Sequence, residues 1–476
     1  MTQHGASQNG TPNGTPNGTP GDVDPRAGAA ANETPGDTAS RDGMPRDRTP
    51  RDGTRTAATT KSTATPSATA DEKPAGDASR TTWSDAPGDA PTTSDSGAAP
   101  GRKRRLTAHR GSARKLSGPA VETVRERLTR LVADAPDVYD LDDWTDIYGS
   151  DDSIVGELER RTAEALGTEA AAFFPTGTMA QQVALRCWAG RTGSPTVAGH
   201  PLSHMEVHER DAYAVVSGLR MVHPTNAPRL PTAAEIYDLQ EPFGTLALEL
   251  PLRDAGFLLP TWEELTATVA AARDRDAVVH FDGARLWECA PHFGRTLPEI
   301  AALADSIYVS YYKSLDGISG AALAGTESFV EEARAWRHRY GGQLFQQWPA
   351  ALAALAGLDR ELPRLPQYVA HAKVVAQALR DGLAEAGVPW FRVHPEIPHT
   401  HQFQVWLPYP PDALNWAGVR QAEESRTTVF RTWFEPGPAG PPGVAQTEVT
   451  VGSSAMDWTP EEVRTAVADF VSRIGN

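Results

Sequence analysis

The sequence predicts an α/β protein, with a mostly parallel sheet in a large domain, a small α+β domain after it and a disordered tail before it. Three observations carry this reading. Between Ala170 and Gly325, short apolar runs alternate with stretches of helical period, the pattern of βαβ units. Beyond residue 400 the runs take period two, as at Gln402–Leu407, the mark of half-buried strands. The first hundred residues are Thr, Pro, Gly, Ser, Asp and Ala, with the repeat NGTPNGTPNGTP at Asn9–Pro20, and bury too little to offset the entropy of ordering. The divisions drawn are a tail over 1–115, a large domain over 116–358 and a small C-terminal domain over 359–476.

Composition narrows the classes. The chain has 476 residues, a formal charge of −16 and a pI of about 5.3, which argues against nucleic acid as a partner. No apolar run reaches transmembrane length and the N-terminus lacks the apolar core of a secretory signal, so no membrane partner is expected and the location reads as cytoplasmic. Cys187 and Cys289 are expected as buried, reduced thiols. The Asn-Gly-Thr triplets match a glycosylation acceptor, read here as chance without a secretory signal. Arg102, Lys103, Arg104 and Arg105 close the tail as a solvated linker, with an acidic surface as the alternative contact.

The first helix is placed at Pro119, with Val121, Val124, Leu128, Leu131 and Val132 as its apolar stripe. Ser153 caps a second, which buries Ile154, Val155, Leu158, Thr162, Ala165 and Leu166 and ends at Gly167. Ala170–Phe174 reads as a strand, followed by Pro175, Thr176, Gly177 and Thr178 and a helix through Cys187. Free N–H groups at such a helix start favour an anion, though an ordinary strand-to-helix turn reads the same way. Thr245–Leu250 is a strand and Thr261 starts a helix; Glu327–Arg339 is a charged helix, broken by Tyr340, Gly341 and Gly342. Trp348–Leu358 is an apolar helix that carries the chain away from the sheet. In the last part Thr428–Arg431 and Glu448–Val451 read as strands, and Thr459, Pro460 and Glu462 form a capping box for a final helix with Val463, Ala466, Val467, Phe470 and Ile474 inside.

Candidate chemistry sits at strand ends. Val278 and Val279 lead into Asp282, and Ile307 and Val309 lead into Lys313. A carboxylate and a lysine at neighbouring strand ends fit pyridoxal 5′-phosphate (PLP), with lysine as the Schiff-base partner and aspartate on the pyridine nitrogen; the same placement also occurs in α/β proteins without a cofactor. His200, His204 and His208 recur at four-residue spacing with Glu206 and Glu209 nearby, which brings zinc into consideration. The match to H-E-x-x-H is loose, because no Glu directly follows either leading His, and no metal is expected. An imidazole against a cofactor ring, or a general base beside it, fits better.

Read together, YGSDD at Tyr148–Asp152, FFPTGTMAQQ at Phe173–Gln182, SHMEVHE at Ser203–Glu209, HFDGARLWE at His280–Glu288 and DSIYVSYYK at Asp305–Lys313 resemble the threonine aldolase and β-eliminating lyase family of fold-type I PLP-dependent enzymes. The resemblance implies the fold-type I transferase-like architecture and PLP as cofactor. It makes Lys313 the Schiff-base lysine, Asp282 the partner of the pyridine nitrogen and Arg285 a contact of cofactor or substrate carboxylate. Gly177 and Thr178 would hold the phosphate, and His204 would stack on the ring. The implied activity is cleavage of a β-hydroxy-α-amino acid into glycine and an aldehyde, with His204 or His208 as the base. A homodimer or homotetramer is implied too, with Tyr148, Gly341 and Gly342 reaching a neighbouring subunit.

The departures point to the substrate. Tyr139–Thr145 lacks the family's Arg-Ser-Asp-Thr segment, and Ser314, Leu315 and Asp316 replace its Gly-x-Gly after the lysine. Asp316 is expected to favour a protonated lysine and to disfavour an anionic substrate. TEVTVGSSAMD lacks the family's carboxylate-binding arginine, leaving Arg253 or Arg431 as substitutes beside Arg285. The alternatives to aldol cleavage are β-elimination, a transaldolase-type exchange, and a catalytically weak protein with an interaction role.

Overall fold

The structure is a computed structural model that describes residues 100–118, 122–135, 138–145, 147–436 and 442–475. Residues 91–476 cluster as one compact unit; the other, residues 1–90, is outside the described residues, as is the expected disorder of residues 1–99. Pro119 and Val121 of the expected first helix are also outside them.

Order begins earlier than the sequence reading placed it. Arg102–Gly111 is a helix and Arg114–Lys115 is a short strand, β1. The basic cluster is therefore not a solvated linker: Arg104 holds Glu423 at 2.9 Å and lies 4.8 Å over the Trp416 ring, while Ala108 packs on Val419 and Ala422. Its partner, the helix Pro411–Glu424, is some three hundred residues away in sequence, so local composition carries no trace of the pairing.

The main sheet contains β2 (Ala170–Phe174), β3 (Thr196–Ala198), β4 (Arg220–Val222), β5 (Thr245–Glu249), β6 (Val278–Gly283), β7 (Ser306–Ser310) and β8 (Ala321–Gly325). Their order is β2-β8-β7-β6-β5-β3-β4, and only the pairs made by β8 are antiparallel. Strands β5, β7 and β8 are buried along their whole length, as near-continuous apolar runs between two helical layers require. A second sheet joins β9 (Arg392–His394), β10 (Gln402–Leu407) and β12 (Ala445–Thr450) in the antiparallel order β12-β10-β9. Strand β11 (Thr427–Thr428) pairs in parallel with β1, so the expected strand Thr428–Arg431 is cut to two residues.

Capping explains most helix ends. Ser153 accepts from the N–H groups of Val155 and Gly156, and Gly167 closes that helix at φ +67°. Thr261, Thr296 and Thr459 each form a capping box with a glutamate three residues on. Two expectations fail. The helix Val124–Asp134 buries only Leu131, while Val124, Leu128 and Val132 face outward at 78, 54 and 64 % exposure. The helix Trp348–Arg360 does not leave the sheet; it packs on the helix Ile154–Leu166, with Leu352, Leu355 and Leu358 in the main core. Leu116 joins the apolar cluster of the second sheet, so the N-terminal segment belongs with the C-terminal strands.

Candidate active site

Parallel strands deliver their carboxyl ends to one edge of the sheet, and there Glu249 pairs in register with Asp282 and Asp282 with Tyr308. The three side chains therefore share one face of the sheet. Asp282 is 1 % exposed and, among the described residues, its carboxylate takes only the Ala284 N–H, at 3.3 Å. Burial pushes its carboxyl upward, and the nearby Lys313 ammonium pulls it back. Glu249, which the sequence reading overlooked, is pushed up by burial and by the charge of Asp282 while accepting from the His204 N–H at 2.6 Å. It is the last residue of β5, one short of the end of the predicted strand Thr245–Leu250, and so carried a strand-end signal like that of Asp282.

Lys313 lies three residues past β7, with its amine 5.8 Å from the Tyr312 ring and no hydrogen-bond partner among the described residues. Burial and the Arg285 guanidinium lower it to about 8, opposed by Asp282. The expected influence of Asp316 is overturned. That side chain, at φ +56°, turns away into Arg127 (2.8 Å), Arg130 (2.9 Å) and Arg360 (3.2 Å), and a carboxylate matched by three cations has little field left for the amine.

The arginines divide. The Arg285 guanidinium has no hydrogen-bond or ion-pair partner among the described residues; its Nε is buried, and the group lies 5.3 Å over the Phe257 ring. Phe257 is fully buried at φ +59°, a conformation that costs a bulky residue about 1–3 kcal/mol and marks a constrained platform. Arg253 reaches the same edge but is engaged by Glu448 at 2.9 Å and Asp254 at 3.3 Å. Arg431 is not brought to the site: it lines a pocket with Arg105, His109 and Trp433.

The helix Gly177–Thr192 starts beside Tyr308. Its cap Thr176 accepts from the Met179 N–H, while the N–H groups of Gly177 and Thr178 have no partner among the described residues. A Cβ on Gly177 would fall 2.1 Å from the Tyr308 hydroxyl, so only glycine fits there. His204 and His208 do not form the continuous helical face with His200 that the spacing suggested. Only His204–Val207 is helical, and His200 bonds the Ala227 carbonyl at 2.7 Å. The other two rings lie 5.2 Å apart, His204 on Glu209 at 3.2 Å and His208 on Asp254 at 2.8 Å. A chain from Ser217 through Gln182 to Glu209 fixes the first of them. No group of three or more His, Cys, Asp or Glu is placed to hold a metal ion among the described residues.

Behind the lysine, Glu288 is wholly buried and accepts from Ser314 and from His401 Nε2 at 2.8 Å; His401 Nδ1 donates to the Val451 carbonyl at 2.7 Å. This pair ties the second sheet to the lysine turn, and sequence spacing gave no sign of it. Tyr148 and the turn at Gly341 and Gly342 find partners within the chain: Tyr148 edges onto Phe345 at 5.9 Å, and Gly342 sits where a Cβ would meet the Met179 sulfur at 2.2 Å.

A free amine, a buried carboxylate, an unpaired guanidinium and open helix N–H groups match the aldehyde, pyridine nitrogen and anionic groups of PLP and a bound amino acid. With this sheet, they define a fold-type I PLP-dependent enzyme. The chain belongs to the β-eliminating lyase family, whose sequence profile matches residues 139–398. It is 31 % identical over 247 residues to the low specificity L-threonine aldolase of Escherichia coli K12, covering 50 % of this chain and 73 % of that one. A crystal structure described as a putative L-allo-threonine aldolase from Listeria monocytogenes superposes with a TM-score of 0.70 at 31 % identity, covering 78 % of this chain and 99 % of that one. A lysine-to-alanine variant of the serine palmitoyltransferase of S. paucimobilis with bound PLP–myriocin aldimine shares the fold at 17 % identity and a TM-score of 0.53, covering 72 % of this chain and 83 % of that one.

Proposed function

We propose that the chain cleaves the Cα–Cβ bond of a β-hydroxy-α-amino acid into glycine and an aldehyde, with PLP bound between Lys313, Asp282 and the start of the helix Gly177–Thr192. The observation that carries this is the set gathered at one sheet edge, the buried Asp282 with the half-buried Lys313 and Arg285, whose amine and guanidinium have no hydrogen-bond or ion-pair partner among the described residues. When bound, PLP supplies an electron sink for the pair left at Cα.

The residues supply the rest. The N–H groups of Gly177 and Thr178 bind the phosphate, and Asp282 holds a proton on the pyridine nitrogen by opposing its charge. Lys313, lowered toward neutrality, offers an amine that is nucleophilic near physiological pH. Arg285 takes the substrate carboxylate, because Arg253 is already matched by Glu448 and Asp254 and Arg431 lies elsewhere. His204 and His208 each carry a carboxylate on one ring nitrogen and, among the described residues, leave the other open, the arrangement of a base that removes the β-hydroxyl proton. His204 also supplies the ring face for the cofactor.

The test is product analysis. Purified protein should show a visible absorbance band that borohydride abolishes and Lys313→Ala lacks, and it should release glycine and aldehyde from β-hydroxy amino acids. Pyruvate and ammonia would instead support β-elimination. Absence of the band, with Lys313→Ala unchanged, would sink both enzyme readings.

A second copy of the chain completes this reading. The outward Val124, Leu128 and Val132 form an apolar stripe on the helix that carries Arg127 and Arg130 to the lysine turn, and Trp144 and Phe345, outside that helix, are 93 % and 63 % exposed. Among the described residues no helix is long and apolar enough to cross a membrane, and both cysteines are buried and unpaired, which supports a reducing cytoplasmic setting.

A further inference from the structure

Away from the sheet edge, a pocket opens between the helix Arg102–Gly111 and the stretch that follows β11, lined by Arg105, His109, Asn415, Thr428, Arg431 and Trp433 among others. Two of its side chains are almost wholly buried, His109 at 4 % and Trp433 at 2 % exposure. Both ring nitrogens of His109 and the indole nitrogen of Trp433 are buried with no hydrogen-bond partner among the described residues. Buried polar groups are rarely left so, and each unsatisfied one is a reason to look for a missing partner.

The character of that partner follows from the lining. The indole N–H can only donate, and Arg105 and Arg431 are permanent cations. Arg431 has no hydrogen-bond or ion-pair partner among the described residues. The remaining polar groups are committed: Asn415 bonds the Trp433 backbone at 2.9 and 3.0 Å, and Thr428 Oγ1 meets Ser112 Oγ at 2.7 Å. No carboxylate lines the pocket. Arg105 donates to the Pro100 carbonyl but keeps its charge in the pocket wall, and a lining of two cations and an indole donor repels a metal ion and attracts an oxyanion.

We propose that this pocket is a second binding site, for a small oxyanion of the phosphate or carboxylate class. The cavity admits a water-sized group, so one oxygen enters toward His109 and Trp433 while the body of the anion rests at the mouth against Arg105 and Arg431. The site shares no residue with the Lys313 edge and does not rest on the aldolase reading. The basic helix, packed on the helix Pro411–Glu424, contributes two of the anion's partners, Arg105 and His109.

The test uses the full chain saturated with PLP, so that the phosphate cradle at Gly177 is filled. Thermal unfolding is followed against sodium phosphate, sodium acetate and sodium chloride at equal ionic strength. Phosphate or acetate should raise the midpoint beyond chloride, and which of them acts at the lower concentration assigns the class. Arg431→Gln should raise the half-maximal concentration roughly tenfold, the loss of one charge-assisted hydrogen bond. Trp433→Phe removes the indole donor but keeps a ring against Phe430 and Phe470, and it should weaken the response in the same direction. No stabilisation beyond chloride, or a response both variants retain in full, would overturn the site.

Discussion

At Lys313 two neighbours compete over one proton. Burial and Arg285 favour the neutral amine and Asp282 favours the ammonium, and the balance falls to about 8 from an ordinary 10.5. The group is therefore mostly protonated below that value and neutral above it. Competitive labelling of the apoprotein with acetic anhydride should show Lys313 becoming reactive with a midpoint near pH 8, while an exposed lysine titrates near 10.4. A midpoint above 10 would remove the argument for an activated amine. Gly177 offers a steric test. Gly177→Ala drives a methyl group into the Tyr308 hydroxyl and should cost about 1–3 kcal/mol of stability by overpacking. Pairing it with Tyr308→Phe should recover part of that loss in urea unfolding. Asp282 and Lys313 were legible because strand ends announce themselves through the apolar runs before them. Asp316 was misread because a neighbour in sequence was taken for a neighbour in space, whereas its positive φ turns the carboxylate toward Arg127, Arg130 and Arg360.

Between elements, the buried pair Glu288 and His401 has the greatest leverage, since one partner follows β6 and the other precedes β10. Burial opposes both charges, yet mutual attraction wins: His401 is raised and Glu288 lowered. A raised histidine contributes stability that is full below its unfolded value, 6.5, and fades as pH climbs through the folded one. A lowered glutamate contributes above its unfolded value, 4.5, and fades as pH falls through the folded one. Relative to a Glu288→Gln/His401→Gln double variant, the wild type should gain most between pH 4.5 and 6.5. His401→Leu alone leaves a buried unpaired carboxylate and should cost about 3–5 kcal/mol, read by urea unfolding at pH 6. The elements themselves were largely readable: β2, β10 and the capped helices after Ser153, Thr261 and Thr459 lie where period and caps put them. The Glu288–His401 pair and the helix Arg102–Gly111 were not, because both depend on partners more than a hundred residues away, and period and capping report only on near neighbours.

For the whole molecule, the exposed apolar surface sets the last expectation. Val124, Leu128 and Val132 recur at four-residue spacing on one helix, an amphipathic stripe turned outward where Leu131 alone faces in. Leu141, Trp144, Ile147 and Tyr148 extend the apolar surface along the following segment, and Leu344 and Phe345 join it through the Tyr148–Phe345 contact and the Gln346 N–H to Ile147 carbonyl bond. Single exposed apolar residues are ordinary, and these are the groups that the proposed second copy would cover. The same helix grips the lysine turn through Asp316, so a partner seated on its outer face would press the catalytic turn into place. Leu128→Glu puts a charge in the middle of the stripe without touching the buried face. It should shift the sedimentation coefficient from dimer to monomer while leaving the far-ultraviolet circular dichroism unchanged. If assembly supports the site, aldolase turnover should fall in the same variant and recover as protein concentration is raised. A wild-type chain that sediments as a monomer at micromolar concentration would rule the interface out.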